Sequence, residues 1–419
     1  MNQLTIKDIP QKDLENKKVL VRVDFNVPLE KKDGKVTITN DLRIRASLPT
    51  IKYLIDSKAR IALVSHLGRP KGFDSDLKMD PVANKFSELL GKKVLKLNDS
   101  IGTEIENTIE NLKPGDVCLL ENIRFYKEEE KNDTDFARKL AKPFNIYVND
   151  AFGTSHRAHA STAGVCAYLH PSLAGLLLEK EVDSLNKILT NPVRPFTTIL
   201  GGSKISSKIE VIKQLIPKVD TLLIGGAMAF TFVKAKGGEI GDSLYEEKFI
   251  PLIKEINVLT DEHAVALVLP LDMQCVKKEY LEAKETKHLS TVSSVYTYDI
   301  DKIPSGFTGL DIGLKTIEKF VKMIGQSKTL FWNGPMGMFE DDLFIGGTKA
   351  VGEALQEVTK KKSITVIGGG DSVAALEKLN ISFENFTHVS TGGGASIEFI
   401  EGKTLPGISC LDKKVSVKK

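Results

Sequence analysis

The 419-residue sequence lacks the features that mark several classes of protein. Its four cysteines, Cys118, Cys166, Cys275 and Cys410, are far apart and form no CxxC pair, so they predict neither a disulfide framework nor a zinc site. No run approaches the roughly 20 apolar residues of a membrane span, and we expect no membrane partner. The formal net charge is only +3, which argues against a nucleic-acid partner.

Targeting signals are also missing from the start of the chain. The segment MNQLTIKDIPQKDLENKK has no apolar signal core and is too acidic for a transit peptide, so we expect a cytoplasmic protein. With 41% hydrophobic and 27% charged residues, the chain can bury a full core. At about 150 residues per domain, its length predicts two or three domains.

Short apolar runs, each followed by a turn and a helical pattern, recur along the chain. This alternation is typical of βαβ units, and uninterrupted apolar runs indicate strands covered on both faces. The predicted strands are Val19–Val23, Ile61–Val64, Val117–Leu120, Ile146–Val148, Thr197–Leu200, Thr221–Ile224, Ala264–Leu269, Thr329–Trp332 and Ile364–Ile367. The predicted helices include Asp80–Leu90, Asp135–Ala141, Lys204–Leu215 and Lys349–Thr359. One sheet would need about ten strands, so we predict an α/β protein with two doubly wound, Rossmann-like parallel sheets.

The segment Gly175–Thr190 is the best candidate for a junction between the two sheets. It has helical periodicity and is followed by Pro192 and Pro195, which would stop a helix. We predict an N-terminal domain over residues 1–178, a connecting helix over 179–191 and a C-terminal domain over 192–404.

Polar and basic side chains cluster after the predicted strands of the N-terminal half. Ligands of doubly wound sheets bind at the carboxyl ends of the strands, and guanidinium groups pair well with phosphate and carboxylate. A single arginine is more often part of a surface ion pair, but recurrence after several strands favours a site for a small polyanion. The candidates are Asp24, Asn26, Arg43, His66, Arg69, Arg124 and Arg157. His156 and His159 have no further ligand at metal-binding spacing, which argues against a metal there.

Glycine-rich turns follow the predicted strands of the C-terminal half. The motifs GGSK, GGAM, NGPMG, GGGD and STGGGAS would let backbone N–H groups approach a large ligand, and a nucleotide fits best. No P-loop and no GxGxxG motif is present. Lys204 and Lys208, four apart at a predicted helix start, would share a face and could meet phosphates. Asp371 could hold Mg²⁺ or could simply cap a helix.

One half suited to a small anion and one suited to a nucleotide indicate transfer between two ligands. Phosphoryl transfer depends mainly on positioning and charge neutralisation, which fits abundant Arg, Lys and Gly without an obvious nucleophile. Closure of the two domains would exclude water from the reaction.

Long motifs of this sequence closely resemble those of the phosphoglycerate kinase family. They are RVDFNVPL, SHLGRP, ENIRFYKEE, NDAFGTSHRAHAST, LGGSKISSKIEVI, IGGAMAFTF, FWNGPMGMFE, GGGDSVAAL and STGGGASIEFIEGK, in order over nearly the whole chain. The resemblance implies transfer from 1,3-bisphosphoglycerate to ADP with Mg²⁺ on the nucleotide, and a monomer. It also implies that the segment 405–419 returns to the N-terminal domain.

The same resemblance implies a role for each candidate residue. The seven candidates of the N-terminal half would hold phosphoglycerate, and Arg43 and Lys204 would neutralise charge on the phosphoryl group in transfer. Lys208 would contact the nucleotide phosphates, and Glu340 the ribose. The remaining nucleotide-binding positions would be Gly201, Gly226 and Gly309 near adenosine, Asn333 near the phosphates, and Gly368, Gly369, Gly370, Asp371 and Ser372 around them, with Asp371 on the metal. The glycines near the transferred group would be Gly392, Gly393 and Gly394.

The sequence departs from the family pattern at two positions, and two alternative functions stand beside the leading one. Ser207 stands where many members have an acidic residue, which puts a second protein contact to Mg²⁺ in doubt, and Ala227 stands where a third glycine is frequent. An NAD-dependent dehydrogenase is one alternative, although its GxGxxG motif is missing. A catalytically inactive nucleotide-binding module on the same scaffold is the other.

Overall fold

The computed structural model describes residues 1–32, 34–280 and 294–414, and the chain forms two units. The first comprises Met1–Asp183 and the C-terminal segment from Lys403, and the second comprises Ser184–Gly402. The boundary lies inside the helix Leu176–Thr190. In the described part of the chain, no helix combines the length and apolar character that crossing a membrane requires.

The first unit is built on a six-stranded sheet in which every pair of neighbouring strands is parallel. Its strand order is β5-β6-β4-β1-β7-β8, and β2 and β3 form a separate antiparallel hairpin. The strands are β1 Lys18–Arg22, β2 Leu29–Lys32, β3 Lys35–Ile38, β4 Arg60–Val64, β5 Leu95–Lys96, β6 Val117–Leu119, β7 Ile146–Asn149 and β8 Ser172–Ala174. The α-helices are Gln11–Leu14, Leu42–Asp56, Asp80–Leu90, Thr103–Glu110, Lys127–Glu130, Thr134–Ala141, Leu176–Thr190 and Pro406–Ser409.

The second unit contains another all-parallel sheet of six strands, in the order β12-β10-β9-β17-β18-β19. An antiparallel sheet β14-β13-β16 and a parallel pair β11-β15 accompany it. The strands are β9 Phe196–Leu200, β10 Thr221–Ile224, β11 Glu239–Ile240, β12 Ala266–Val268, β13 Asp272–Lys277, β14 Tyr296–Asp299, β15 Lys302–Ile303, β16 Phe307–Ile312, β17 Thr329–Asn333, β18 Ile364–Gly368 and β19 His388–Val389. The α-helices are Ile209–Leu215, Met228–Ala235, Ile250–Glu262, Leu314–Gly325, Gly346–Lys360, Gly370–Lys378 and Gly394–Ile400.

The central strands are buried on both faces, as their uninterrupted apolar runs predict. Four of the five residues of β1 are buried, and all five of β9 and of β17 are buried. Because side chains of a strand point alternately to opposite faces, such runs need helices packed on both sides of the sheet. The predicted α/β fold with two doubly wound parallel sheets is therefore confirmed.

Several details of the fold differ from the sequence prediction. The predicted helix Lys204–Leu215 is wrong at its start, because a 3₁₀ turn, Ile205–Ser207, comes first and the α-helix begins at Ile209. The edge strands β5, β8 and β19 were not predicted. They have only two or three residues, too few to show a periodic pattern.

The C-terminal segment returns to the first unit, as the resemblance implied. The backbone N–H of Asp412 donates to the carbonyl of Ser172 at 2.9 Å, and Leu4 N–H donates to the carbonyl of Asp412 at 2.7 Å. Nδ2 of Asn149 donates to the carbonyl of Gly407 at 2.6 Å. Both chain ends are thus tied to the edge strand β8 and to the end of β7.

Candidate active site

Ligands of doubly wound sheets bind in a crevice at the carboxyl ends of the strands, beside the central strand from which the connections run in opposite directions. In the second unit β9 lies between β10 and β17, and the strand order is that of the best-known dinucleotide-binding sheets. In the first unit β1 lies between β4 and β7. The segments that follow the strands of the two parallel sheets contain most of the predicted site residues, so these two sheet edges are the candidate ligand sites.

Arg43 is held in a fixed position by the loop that follows β1. It is the second residue of the helix Leu42–Asp56. Its Nη1 donates to both carboxylate oxygens of Asp24, at 3.1 and 3.2 Å, and to the carbonyl of Asn26 at 3.1 Å. Oδ1 of Asn26 accepts from the N–H of Gly68 at 2.8 Å, which ties this loop to the one after β4. Arg43 remains 34% exposed, so its guanidinium can still meet a ligand.

His66 is buried beside a second guanidinium, that of Arg22. Nη2 of Arg22 and Nδ1 of His66 are 3.1 Å apart. A guanidinium can only donate, so Nδ1 is the acceptor and the neutral ring has its proton on Nε2. Burial, and then the charges of Arg22, Arg124 and Arg43, hold the pKa of His66 well below its ordinary value of 6.5. The ring is therefore a neutral N–H donor among cationic side chains, and we call Arg22, Arg43, His66 and Arg124 the cationic cluster.

The other predicted arginines of this unit differ in accessibility. Arg124 is 8% exposed, and its Nη1 donates to the carbonyl of Gly68 at 2.8 Å. Burial lowers the pKa of Arg124, which nevertheless stays cationic because an arginine pKa is so high. Arg69 and Arg157 are exposed, and Nε of Arg157 lies 3.1 Å from Nε2 of His156. Arg124 thus holds the loop after β4 through a buried hydrogen bond, whereas Arg69 and Arg157 face solvent.

A buried carboxylate fixes the segment that follows Arg157. Glu129 is fully buried, and its two carboxylate oxygens accept from the N–H of Ser161 at 2.8 Å and from its hydroxyl at 2.6 Å. Nδ1 of His159 lies 3.9 Å from the same carboxylate, and burial lowers the pKa of His159 to about 4. Sequence reasoning missed both Glu129 and Arg22. Arg22 could have been noticed as the one charged residue within the apolar run Val19–Val23. Glu129 lies in an acidic run, which is typical of a solvent-exposed surface.

The second unit has a cavity of about 340 Å³ at the edge of its sheet. Four predicted nucleotide-binding residues line it, namely Gly226, Gly309, Glu340 and Asp371. Gly226 has φ +64°, and a Cβ there would lie 2.5 Å from the carbonyl oxygen of Gly202, so only glycine fits without a shift. Gly309 comes from β16, a strand of the antiparallel sheet that the sequence did not predict.

Asn333 organises the part of this crevice between β17 and β18. Its carbonyl accepts from the N–H of Gly201 at 3.0 Å, and its Nδ2 donates to the carbonyl of Gly368 at 2.8 Å. Nζ of Lys208 donates to Oδ1 of Asn333. Burial lowers the pKa of Lys208, and the charges of Asp371 and Glu401 oppose that shift. This ammonium therefore lies near the carboxylate of Asp371.

The segment around Lys204 differs from the predicted helix start. Lys204 has extended backbone, with φ −126° and ψ 122°, and its side chain is exposed, so Lys204 and Lys208 do not share a helix face. Ser207 is also exposed, and its hydroxyl donates to the carbonyl of Lys204 at 2.9 Å. The two lysines flank a 3₁₀ turn instead of lying one above the other on an α-helix.

The remaining predicted glycines lie at two helix N-termini. Gly369, with φ +90°, precedes the helix Gly370–Lys378, and a Cβ at Gly369 would lie 2.5 Å from Nδ2 of Asn333. Ser372 is buried, and its hydroxyl oxygen accepts from the N–H of Gly334 at 2.6 Å. The triplet Gly392, Gly393 and Gly394 leads into the helix Gly394–Ile400, and Gly392 N–H donates to Ser390 Oγ at 3.1 Å.

The residues around Asp371 do not form a complete metal site by themselves. Among residues 1–32, 34–280 and 294–414, no group of three or more His, Cys, Asp or Glu side chains is placed to hold a metal. Asp371 lines the cavity and lies in the first turn of its helix. Since Mg²⁺ prefers oxygen ligands and retains waters, one carboxylate fits a metal that arrives on nucleotide phosphates.

Comparison with known proteins agrees with this arrangement. The family model described as phosphoglycerate kinase matches residues 6–403. The phosphoglycerate kinase of Dictyoglomus turgidum is 55% identical over 414 residues, which cover 99% of this chain and 100% of that one. The chloroplastic phosphoglycerate kinase of Volvox carteri is 50% identical over 98% of this chain and 86% of its own length. The structure of the Coxiella burnetii phosphoglycerate kinase is similar with a TM-score of 0.84 at 40% identity, over 98% of both chains. The chain therefore belongs to the phosphoglycerate kinase family and is a phosphotransferase with a carboxyl group as acceptor.

Proposed function

We propose that this protein catalyses the reversible, magnesium-dependent transfer of a phosphoryl group from 1,3-bisphosphoglycerate to ADP, giving 3-phosphoglycerate and ATP. The observation that carries the proposal is the cationic cluster of the first unit, where burial and the charges of Arg22, Arg124 and Arg43 keep His66 neutral. A kinase that phosphorylates a carboxyl group needs cationic side chains at its acid site, because the carboxylate and the phosphate of the substrate are both anionic.

Phosphoglycerate would bind to the residues that follow the strands of the first unit. Arg43, Arg69, Arg124 and Arg157 supply charge for its phosphate and carboxylate, and Nε2–H of His66 supplies a neutral donor. Asp24 and Asn26 would hold Arg43 and the substrate hydroxyl. The hydrogen bonds from Arg43 to Asp24 and Asn26 support this role, because they order the guanidinium before a ligand arrives.

The nucleotide would bind in the crevice of the second unit. Adenosine would lie along the cavity lined by Gly226 and Gly309, with Glu340 near the ribose and Gly201 behind it. The phosphates would lie towards Lys208 and Asn333. The backbone of residues Gly368, Gly369, Gly370, Asp371 and Ser372 would receive them at the positive end of the helix Gly370–Lys378. Mg²⁺ bound to these phosphates and to Asp371 would neutralise part of their charge.

Transfer itself would need no protein nucleophile. The phosphoryl group would pass in line from one substrate oxygen to the other, and the protein would stabilise the charge spread over its three oxygens. The guanidinium of Arg43 and the ammonium of Lys204 would stabilise this charge. Backbone N–H groups would also do so, at Gly392, Gly393 and Gly394. The exposed side chain of Lys204 supports this role, because its ammonium can reach towards the phosphoryl group in transfer.

A coupled assay in the reverse direction tests this function. Purified protein, Mg-ATP and 3-phosphoglycerate are linked to NADH oxidation through glyceraldehyde-3-phosphate dehydrogenase. We expect rapid oxidation that requires protein, ATP and 3-phosphoglycerate together. A folded protein that binds Mg-ATP without any oxidation of NADH would instead be an inactive nucleotide-binding module.

A further inference from the structure

Two of the four cysteines meet in the first unit although 244 positions separate them in sequence. Cys166 lies in the 3₁₀ helix Gly164–Ala167, and Cys410 directly follows the helix Pro406–Ser409. Their sulfur atoms are 2.9 Å apart, with Cys166 as donor. This contact joins the body of the first unit to the C-terminal segment.

Backbone hydrogen bonds hold the chain near each cysteine, and the two sulfur atoms are already close to bonding distance. Gly407 N–H donates to the carbonyl of Ser155 at 2.9 Å, and Asp412 N–H donates to that of Ser172 at 2.9 Å. A disulfide has a sulfur–sulfur distance of about 2.05 Å, so the two atoms need to approach by less than an ångström.

The two thiols also differ in a way that suits stepwise oxidation. Cys410 is partly exposed, so a small oxidant can reach it, whereas Cys166 is only 6% exposed. The hydrogen bond from Cys166 lowers the pKa of Cys410, and the same contact together with burial raises the pKa of Cys166. The accessible sulfur is therefore the better nucleophile, and the buried one is positioned to resolve it.

We propose that Cys166 and Cys410 form an oxidative modification site, at which a peroxide converts the two thiols into a disulfide that fastens the C-terminal segment to the first unit. The Cys410 thiol gives up its proton and the thiolate attacks one oxygen of hydrogen peroxide. The O–O bond breaks, and the leaving hydroxide takes up that proton to become water. The Cys166 thiol then attacks the resulting sulfenic sulfur, and the S–O bond breaks with loss of a second water. The two sulfurs together lose two electrons, which the peroxide gains.

The bond would close a covalent loop of the chain that contains the whole second unit, because Ser184–Gly402 lies between the two cysteines in sequence. In the chain-entropy account, a cross-link across so long a loop restricts the unfolded chain strongly. Oxidation should therefore raise the melting temperature by about 5–10 °C, and a dithiol reductant should reverse the increase.

Mass spectrometry and thiol counting test the proposal. The reduced protein is treated with one equivalent of hydrogen peroxide and denatured, and its free thiols are counted before proteolysis without reductant. We expect two of the four thiols to disappear and a peptide pair linked through Cys166 and Cys410. The melting temperature should rise in the wild type and in Cys275→Ala, a control at a buried cysteine elsewhere, but not in Cys410→Ser.

Three results would overturn the proposal. One is four free thiols after oxidation, and another is a linkage between two copies of the chain. The third is sulfinic acid at Cys410 with Cys166 still a free thiol. If Cys166→Ser does not fold, Cys410→Ser still decides the matter, because Cys410 is partly exposed and a hydroxyl fits there more easily.

Discussion

Nη2 of Arg22 lies 3.1 Å from Nδ1 of His66, and both side chains are almost fully buried, at 1% and 3% exposure. This one contact determines which ring nitrogen of His66 can donate to a ligand. It also places a permanent positive charge behind the ring, which disfavours the imidazolium form. A pocket for an anion thus gains a donor whose charge does not change near neutral pH.

The protonation of His66 can be measured directly. We expect ¹⁵N NMR to show a neutral ring with its proton on Nε2 at pH 6, where an ordinary histidine of pKa about 6.5 is mostly protonated. Arg22→Met should shift the titration of His66 to higher pH, because one of the charges that lower its pKa is removed. Loss of the signal in His66→Gln assigns it. A protonated ring at pH 6, or a proton on Nδ1, would contradict the tautomer.

The pH dependence of stability follows with a definite sign. Between the lowered pKa of folded His66 and about 6.5, the unfolded chain binds more protons at this site, so folding is favoured less as pH falls through that range. His159, with its pKa lowered to about 4, contributes in the same direction between pH 6.5 and 4. Acid should therefore destabilise the first unit by way of these two rings.

Arg43→Ala should lower turnover far more than it weakens nucleotide binding. Its proposed partner is the phosphoryl group in transfer, and removal of one such contact commonly costs roughly 100- to 1000-fold in rate. The measurement is steady-state kcat together with the Kd of Mg-ADP. Arg45→Ala is the matched control, because Arg45 lies on the same helix, is exposed, and pairs with Asp41 at 2.7 Å. Equal turnover in the two variants would remove Arg43 from the mechanism.

Asp371→Ala should weaken the binding of nucleotide in the presence of Mg²⁺ while binding without the metal changes little. The reason is that Asp371 lines the cavity with a carboxylate in the first turn of its helix, where the nucleotide phosphates would bind. Titration calorimetry with ADP, with and without Mg²⁺, separates the two effects. Glu353→Ala, at an exposed site on the helix Gly346–Lys360, controls for a general loss of negative charge. Unchanged magnesium dependence would leave Asp371 only as an acidic residue in the first turn of its helix, whose N-cap is Gly369.

Asp150 gives a prediction for the helix that crosses the boundary between the units. Its Oδ1 accepts from the N–H of Leu177 at 2.9 Å and of Leu178 at 3.3 Å, at the start of the helix Leu176–Thr190. Burial raises the pKa of Asp150 to about 7. The folded protein therefore binds more protons than the unfolded chain between pH 4 and 7, and this contribution to stability falls as pH rises through that window.

Asp150→Asn should remove that dependence, because an amide oxygen can accept the same two hydrogen bonds without ionising. We expect the variant to gain stability over the wild type between pH 5 and pH 8, on the order of 3 kcal/mol, in urea unfolding. Asp56→Asn, at an exposed position at the end of another helix, is the matched control for replacing a carboxylate by an amide. A wild-type protein whose stability difference from Asp150→Asn is independent of pH would contradict a raised pKa.

Local pattern was enough to predict the core strands and the residues that follow them. Continuous apolar runs such as β9 and β17 can be covered only by helices on two faces, and the polar residues after them must then lie at one sheet edge. Gly226 and Asp371, which come after β10 and β18, accordingly line one cavity. Gly309 and Glu340 line the same cavity, but they were expected there only from the family resemblance. The roles of these residues and the domain boundaries at 178, 191 and 404 stay predictions.

Only the tertiary structure decided which distant side chains meet. Arg22 and His66 are 44 positions apart, and Cys166 and Cys410 are 244 apart, so no periodic pattern could pair them. The same holds for the start of the helix after Lys204, where packing around a 3₁₀ turn overrides the helical spacing of the lysines. Periodicity reports on burial within one element, whereas these contacts depend on the order of strands in the sheet and on the return of the C-terminal segment.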